Sequence, residues 1–229
     1  MIPKIIHQVW EGIEEPLPDS YKQLGETWKE HHPEWKYELW NKDRMEAFTK
    51  KKFPEITDVY FNYLYSVQRW DVIRYLILYE IGGMYVDFDY ECFKPFDNYI
   101  KETGKCYFAM EPAEHCRIFG KDFYFNNALM ITPPGHPFFE CIIRHLQTTS
   151  FNYSGNKMHD VLSSTGPWML TSLYEKYDNK AIVDFFLPNQ VSPWSKMEAQ
   201  NYIKLKLYLE KMEKRLKDAI AIHYFSGSW

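Results

Sequence analysis

Cysteine is scarce and unpatterned in this chain. The four residues, Cys92, Cys106, Cys116 and Cys141, include no CxxC pair and form no cluster with histidine, so neither a structural zinc site nor a disulfide framework is indicated. Reduced, partly buried thiols are the expectation, which suits a cytoplasmic protein. Long apolar runs are missing too. None approaches the roughly 20 residues of a membrane-spanning helix, and the stretch from Met1 to His7 lacks the apolar core of a secretory signal. Nor is there an excess of positive charge: 27 Lys and Arg against 31 Asp and Glu give a net −4, which argues against nucleic acid as a partner. Internal repeats, low-complexity tracts and linkers are also lacking. At 229 residues, the chain is expected to form a single domain, residues 1–229, with a core that needs no covalent staples.

Aromatic residues are abundant, at 18%, with 8 Trp and 18 Tyr. Most are expected in the core, and some can serve as stacking platforms for bases and sugar rings. Hydrophobic periodicity predicts strands over residues 4–10, 35–40, 84–88, 105–111, 125–132, 181–186 and 219–225. It predicts helices over 18–31, 43–51, 66–80, 137–148 and 166–177, and a long lysine-rich helix over 196–218. In the 66–80 helix, Val67, Trp70, Ile73 and Ile77 recur at helical spacing before Gly82-Gly83 ends it. Residues 152–164 read as a polar loop. Alternating helices and strands predict an α/β fold with helices on both faces of the sheet.

The richest segment is Gly82-Gly83-Met84-Tyr85-Val86-Asp87-Phe88-Asp89. In an extended chain, side chains at i and i+2 share a face roughly 6–7 Å apart. Two carboxylates so placed at a strand end, where open α/β sheets bind ligands, suit a divalent cation holding a diphosphate. Asp89 is expected to ligate the metal directly, and Asp87 to reach a ribose or the metal through water. Upstream, Asp71 and Arg74 share a helix face. The helix around them is apolar over much of its circumference, so an acceptor and a donor fork there suggest contacts to sugar hydroxyls. His7, Gln8 and Trp10 at the first strand end, and His223 near the last, are individually weak signals.

Taken in order, Ile2-Pro3-Lys4-Ile5-Ile6-His7-Gln8-Val9-Trp10, Trp35 to Trp40, Asp71-Val72-Ile73-Arg74-Tyr75, Gly82 to Asp89, Asn127-Ala128, Thr165-Gly166-Pro167 and His223 to Trp229 resemble glycosyltransferase family 32, the DXD-containing sugar-binding family. That family includes capsular polysaccharide and lipopolysaccharide sugar transferases and yeast mannosyltransferases. The resemblance implies a GT-A type nucleotide-diphospho-sugar transferase fold, with a Rossmann-like mixed sheet. It implies a retaining hexosyltransferase of surface polysaccharide biosynthesis, a UDP- or GDP-sugar donor, a saccharide or lipid-linked saccharide acceptor, and Mn²⁺ or Mg²⁺. It assigns His7, Gln8, Trp10, Tyr85, Asp87, Ser228 and Trp229 to the nucleotide sugar, and Asp71, Arg74 and Asn127 to the reacting sugar. Asp87, Asp89 and His223 go to the metal.

Two other readings of the residues stand beside this one. A haloacid dehalogenase-type phosphatase also carries DxD after a strand, but with Thr or Val where this chain has Glu91. A non-catalytic carbohydrate binder would use the aromatic residues alone. The 196–218 helix is read as a packed helix with a solvated lysine face. Its alternative is peripheral attachment at the inner face of the plasma membrane.

Overall fold

The computed structural model describes residues 1–11, 16–100, 104–205 and 210–227. Its elements run β1 (Ile5–Val9), α1 (Asp19–His31), β2 (Lys36–Trp40), α2 (Lys42–Lys52), α3 (Thr57–Asn62), α4 (Ser66–Glu80), β3 (Gly83–Val86), β4 (Tyr90–Cys92), β5 (Cys106–Met110), α5 (Ala113–Ile118) and β6 (Phe125–Thr132). They continue with α6 (Pro137–Thr148), α7 (Lys157–Ser164), α8 (Pro167–Lys176), β7 (Val183–Phe186), α9 (Pro188–Val191), α10 (Lys196–Leu205), α11 (Glu210–Leu216) and β8 (Ala221–His223). A six-stranded mixed sheet has the order β2-β1-β3-β6-β5-β7, and a separate ribbon pairs β4 with β8.

Side chains alternate across a strand, so one strand feeds two cores. In β3, Met84 and Val86 join Trp28 of α1 and Val191 of α9 on one face. Tyr85 joins the α4 and α6 side chains on the other. Apolar burial on both faces explains why β6 is buried at every position. α4 is buried around most of its circumference, as expected for a helix packed between the sheet and α6.

The turn from α4 into β3 depends on two glycines. Gly82 has φ +73° and Gly83 has φ +103°; a Cβ on Gly83 would sit 2.6 Å from the Ile5 carbonyl oxygen. Only glycine takes that conformation against a neighbouring strand without strain.

Three expectations change. Residues 157–164 form α7 rather than a loop, because the Asn156 side chain accepts from the His159 amide and caps the helix. The lysine-rich segment contains α10 and α11, with residues 206–209 outside the described residues. The third concerns the acidic pair: β3 stops at Val86, and Phe88-Asp89 form a turn into β4. Asp87 and Asp89 are therefore not neighbours on one strand face. They are brought to one wall by a turn, with the Tyr90 amide donating to the Asp87 carbonyl at 3.3 Å.

Candidate active site

A cavity of ≈1340 Å³ opens at the ends of β1, β3 and β6, and Trp10, Asp71, Arg74, Tyr85, Asp87, Asp89, Asn127 and His223 all line it. That is larger than the roughly 300–1,000 Å³ typical of a small-molecule pocket.

The centre is a charge network carried by α4. Asp71 Oδ1 accepts from Asn127 Nδ2 at 2.8 Å, and Oδ2 accepts from the Thr165 hydroxyl at 2.9 Å. Asn127 Nδ2 also donates to the Tyr75 hydroxyl. Arg74 lies one turn on. It donates to the Trp70 carbonyl at 3.0 Å, the Asn127 carbonyl at 3.0 Å and Asp87 at 3.3 Å, and Asp71 stands 3.4 Å away. Its guanidinium lies 4.7 Å from the Tyr85 ring centroid, a cation–π contact. The Tyr85 hydroxyl donates to Asp87 at 2.5 Å.

A register break makes this possible. Phe108 pairs with Met130 but Ala109 pairs with Asn126, so residues 127–129 are unmatched by β5. The Asn127 carbonyl is thereby released to meet Arg74, a common use of a bulge beside a site.

Burial raises the pKa of the Asp71 carboxyl, against the opposing pull of Arg74, Thr165 and Asn127. Burial also raises that of Asp87, partly countered by Arg74 and reinforced by Asp89. Burial works against the Arg74 charge too, but Asp87, ahead of Tyr85 and Asp71, more than offsets it.

Asp89 is held from the far end of the described chain. Its Oδ1 lies 3.2 Å from His223 Nε2, its Oδ2 accepts from the Ser226 amide at 2.8 Å, and its carbonyl accepts from the Tyr224 amide. Burial alone would raise its pKa; His223 and the Ser226 amide hold it below the ordinary carboxylate value. The His223 ring stacks on Tyr90 at 4.2 Å and lies 4.0 Å from Phe225. Burial disfavours its charge, but Asp89 raises its pKa overall.

Two carboxylates and an imidazole suit a hard or borderline divalent cation, and His223 Nδ1 is a buried nitrogen without a hydrogen-bond partner. Among the described residues, no three acidic, His or Cys side chains already form a metal cluster. Asp87, Asp89 and His223 supply oxygen and nitrogen donors of the kind Mn²⁺ or Mg²⁺ accept.

At the other end, Trp10 meets Tyr21 and Phe88 edge-on at 5.9 and 6.1 Å, and all three line the cavity. His7 and Gln8 do not join them. His7 is fully buried, its Nδ1 accepting from the Trp40 indole and its Nε2 donating to the Gly82 carbonyl. Gln8 is also fully buried: it accepts from the Tyr37 hydroxyl and donates to the Val86 carbonyl. Both lock β1 against β2 and β3 rather than facing a ligand, a correction to the expected nucleotide contacts. Ser228 and Trp229 lie outside the described residues.

Sequence reasoning gave no role to Thr165, Tyr75, Tyr21 or Phe88. It also missed a second polar group on the cavity wall. There, Glu111 accepts from His115 Nδ1 at 2.5 Å and from Asn126 Nδ2 at 2.8 Å, while His115 Nε2 accepts from the Lys196 amide at 3.0 Å. The position of Glu111 just beyond β5 was the available signal, since strand ends line ligand clefts in such sheets.

Residues 18–105 match the family model described as glycosyltransferase sugar-binding region containing DXD motif. Inositol phosphoceramide mannosyltransferase 2 of Schizosaccharomyces pombe is 29% identical over 100% of this chain and 58% of its own length. Inositol phosphoceramide mannosyltransferase 3 of the same yeast is 32% identical over 77% of this chain and 46% of its own length. The chain thus spans about half the length of the curated relatives it matches. Among solved structures, the PaToxG glycosyltransferase superposes with TM-score 0.55 at 16% identity, covering 95% of this chain and 84% of that one. The fold is therefore the expected GT-A type, a mixed sheet with helices on both faces. The relatives named here are yeast mannosyltransferases, not capsular or lipopolysaccharide enzymes.

Proposed function

We propose that the chain belongs to this glycosyltransferase family. It transfers a hexose from a UDP- or GDP-linked donor to a saccharide or lipid-linked saccharide acceptor, with retention of anomeric configuration. Mannose is the sugar named for its yeast relatives. The observation that carries this reading is the Asp71–Arg74–Asp87–Asn127 network, set in one cavity with the Trp10–Tyr21–Phe88 cluster at its other end.

The aromatic cluster offers the base a stacking surface. Asp71 and Asn127 hold the donor sugar's hydroxyls, and Arg74 fixes the sugar where positive charge builds at C1. As the bond from C1 to the diphosphate oxygen breaks, the acceptor oxygen bonds to C1 on the same face, and its proton passes to the departing phosphate. Mn²⁺ or Mg²⁺, held by Asp87 and Asp89 with His223 alongside, would neutralise negative charge on the leaving diphosphate. The chain's own contribution is positioning and preset charge.

A phosphatase with Asp87 as nucleophile is disfavoured by geometry. That carboxylate is engaged by Arg74 and Tyr85, and Glu91 accepts from the Tyr224 hydroxyl.

The test is a donor screen across UDP and GDP sugars with Mn²⁺, reading released nucleoside diphosphate. Release from one donor, abolished by a chelator and restored by Mn²⁺, is expected. No release from any donor, or release indifferent to chelator, overturns the metal-dependent transfer.

A further inference from the structure

The mouth of the cavity carries exposed apolar side chains on three helices and one loop. Leu64, before α4, is 60% exposed; Ile118, ending α5, is 67%; Met158, opening α7, is 52%; and Met197, opening α10, is 60%. All four line the cavity. Side-chain contacts and hydrogen bonds join them into one rim. The Leu64 amide donates to the Tyr153 hydroxyl, and Tyr153 meets Tyr65 edge-on. The Lys157 ammonium lies 6.0 Å from the Tyr65 ring. His159 packs on Trp168, and Trp168 on Phe119, beside Ile118. On the same helix, His115 receives the Lys196 amide, beside Met197.

Three of the four apolar residues directly follow an exposed base: Arg117-Ile118, Lys157-Met158 and Lys196-Met197. This repeats on α5, α7 and α10 of a chain whose net charge is −4. Of the nearby acids, Glu114 and Glu198 are only partly exposed, and Glu198 is paired with Arg215 at 2.6 Å.

We propose that this rim docks on an anionic lipid leaflet. The apolar side chains enter the headgroup boundary while the adjoining bases meet lipid phosphates and carboxylates. Among the described residues, no helix is long and apolar enough to cross a membrane, and the proposed contact is one of the rim with the leaflet surface. It presents the cavity mouth to the lipid surface, where an acceptor carried on a lipid would be displayed. Docking needs no donor and no turnover, so it stands or falls apart from the transferase reading.

The test is flotation with vesicles of phosphatidylcholine alone, or with about one-third phosphatidylserine, at low and high salt. The wild-type chain is expected to float with the anionic vesicles at low salt only. Arg117→Ala with Lys157→Ala should weaken that binding roughly 30-fold, two charges' worth. Ile118→Ser with Met158→Ser and Met197→Ser should weaken it by at least about 10-fold, with thermal melting of both variants matching the wild type. Either of two results overturns the proposal: a wild type that stays in the supernatant, or variants that float as the wild type does. A wild type that instead dimerises through these residues without binding vesicles would make the rim a protein contact.

Discussion

Replacing Asp71 by Asn removes a charge while keeping its shape, and the structure says what that costs. In the wild type, Oδ1 receives Asn127 at 2.8 Å and Oδ2 receives Thr165 at 2.9 Å. An asparagine retains the first bond. Its amide can donate to the Thr165 oxygen, whose proton turns to the Val161 carbonyl at 3.5 Å. Two charge-assisted bonds become ordinary ones, a loss of about 1 kcal/mol each. Part of that is returned because burial already disfavours the Asp71 charge. Arg74 keeps Asp87 and two carbonyls. The net destabilisation should be about 1 kcal/mol, a shift of about 2–4 °C in Tm for a chain of this size. Turnover should fall far more, by about 10²–10³, the usual effect of removing one preset polar group from a transfer site. Asp71→Ala is the contrast. It leaves the Arg74 charge short of a buried partner and strips Asn127 and Thr165 of theirs, so it should cost about 3–5 kcal/mol. Released nucleoside diphosphate and thermal melting are read on both variants. An Asp71→Asn protein turning over within threefold of wild type refutes a donor-site role for this carboxylate.

Burial holds the pKa of His7 down at about 4 against an ordinary 6.5. The unfolded chain therefore binds this proton at a higher pH than the folded one, and stability is lost as pH falls from about 6.5 to 4, by up to about 3 kcal/mol. Denaturant melts at pH 7 and pH 4.5 should show a smaller acid loss in His7→Gln than in wild type, with the rest arising partly from His32 and His136, whose pKa values burial also lowers; equal losses refute the assignment. Gly83→Ala forces a Cβ to 2.6 Å from the Ile5 carbonyl at φ +103°. It should cost about 3 kcal/mol or more, and an unchanged Tm would contradict the turn geometry described here.

Periodicity made the sheet and its main helices readable. The bounds of α4, β6 and α6 follow directly from apolar spacing, Gly82-Gly83 and Pro137, because there local propensity and burial agree. The acidic pair and its helix partners were also legible, being dense with charge where the pattern demanded apolar residues. Three features were not. His7 and Gln8 look like ligand contacts in a strand-end motif, yet their polarity is consumed by Trp40, Gly82, Tyr37 and Val86; a buried polar group facing a neighbouring strand reads in one dimension like one facing a ligand. The slip at Phe108/Ala109 leaves no mark in the β5 or β6 residues, since it depends on how two strands meet. The Glu111–His115 pair escaped notice because a single Glu and a His four residues on are unremarkable until Asn126 and Lys196 are folded against them.

The ribbon joining β4 to β8 has a temporal consequence. Asp89 and Ser226 are separated by 137 positions, whereas the strands flanking β3 are complete by Thr132. On a ribosome, a nascent chain could assemble the inner sheet and the α4 network long before the second aspartate meets its partners. Closure of that wall of the cavity would then wait until Ser226 has emerged, well after the central strands are in place.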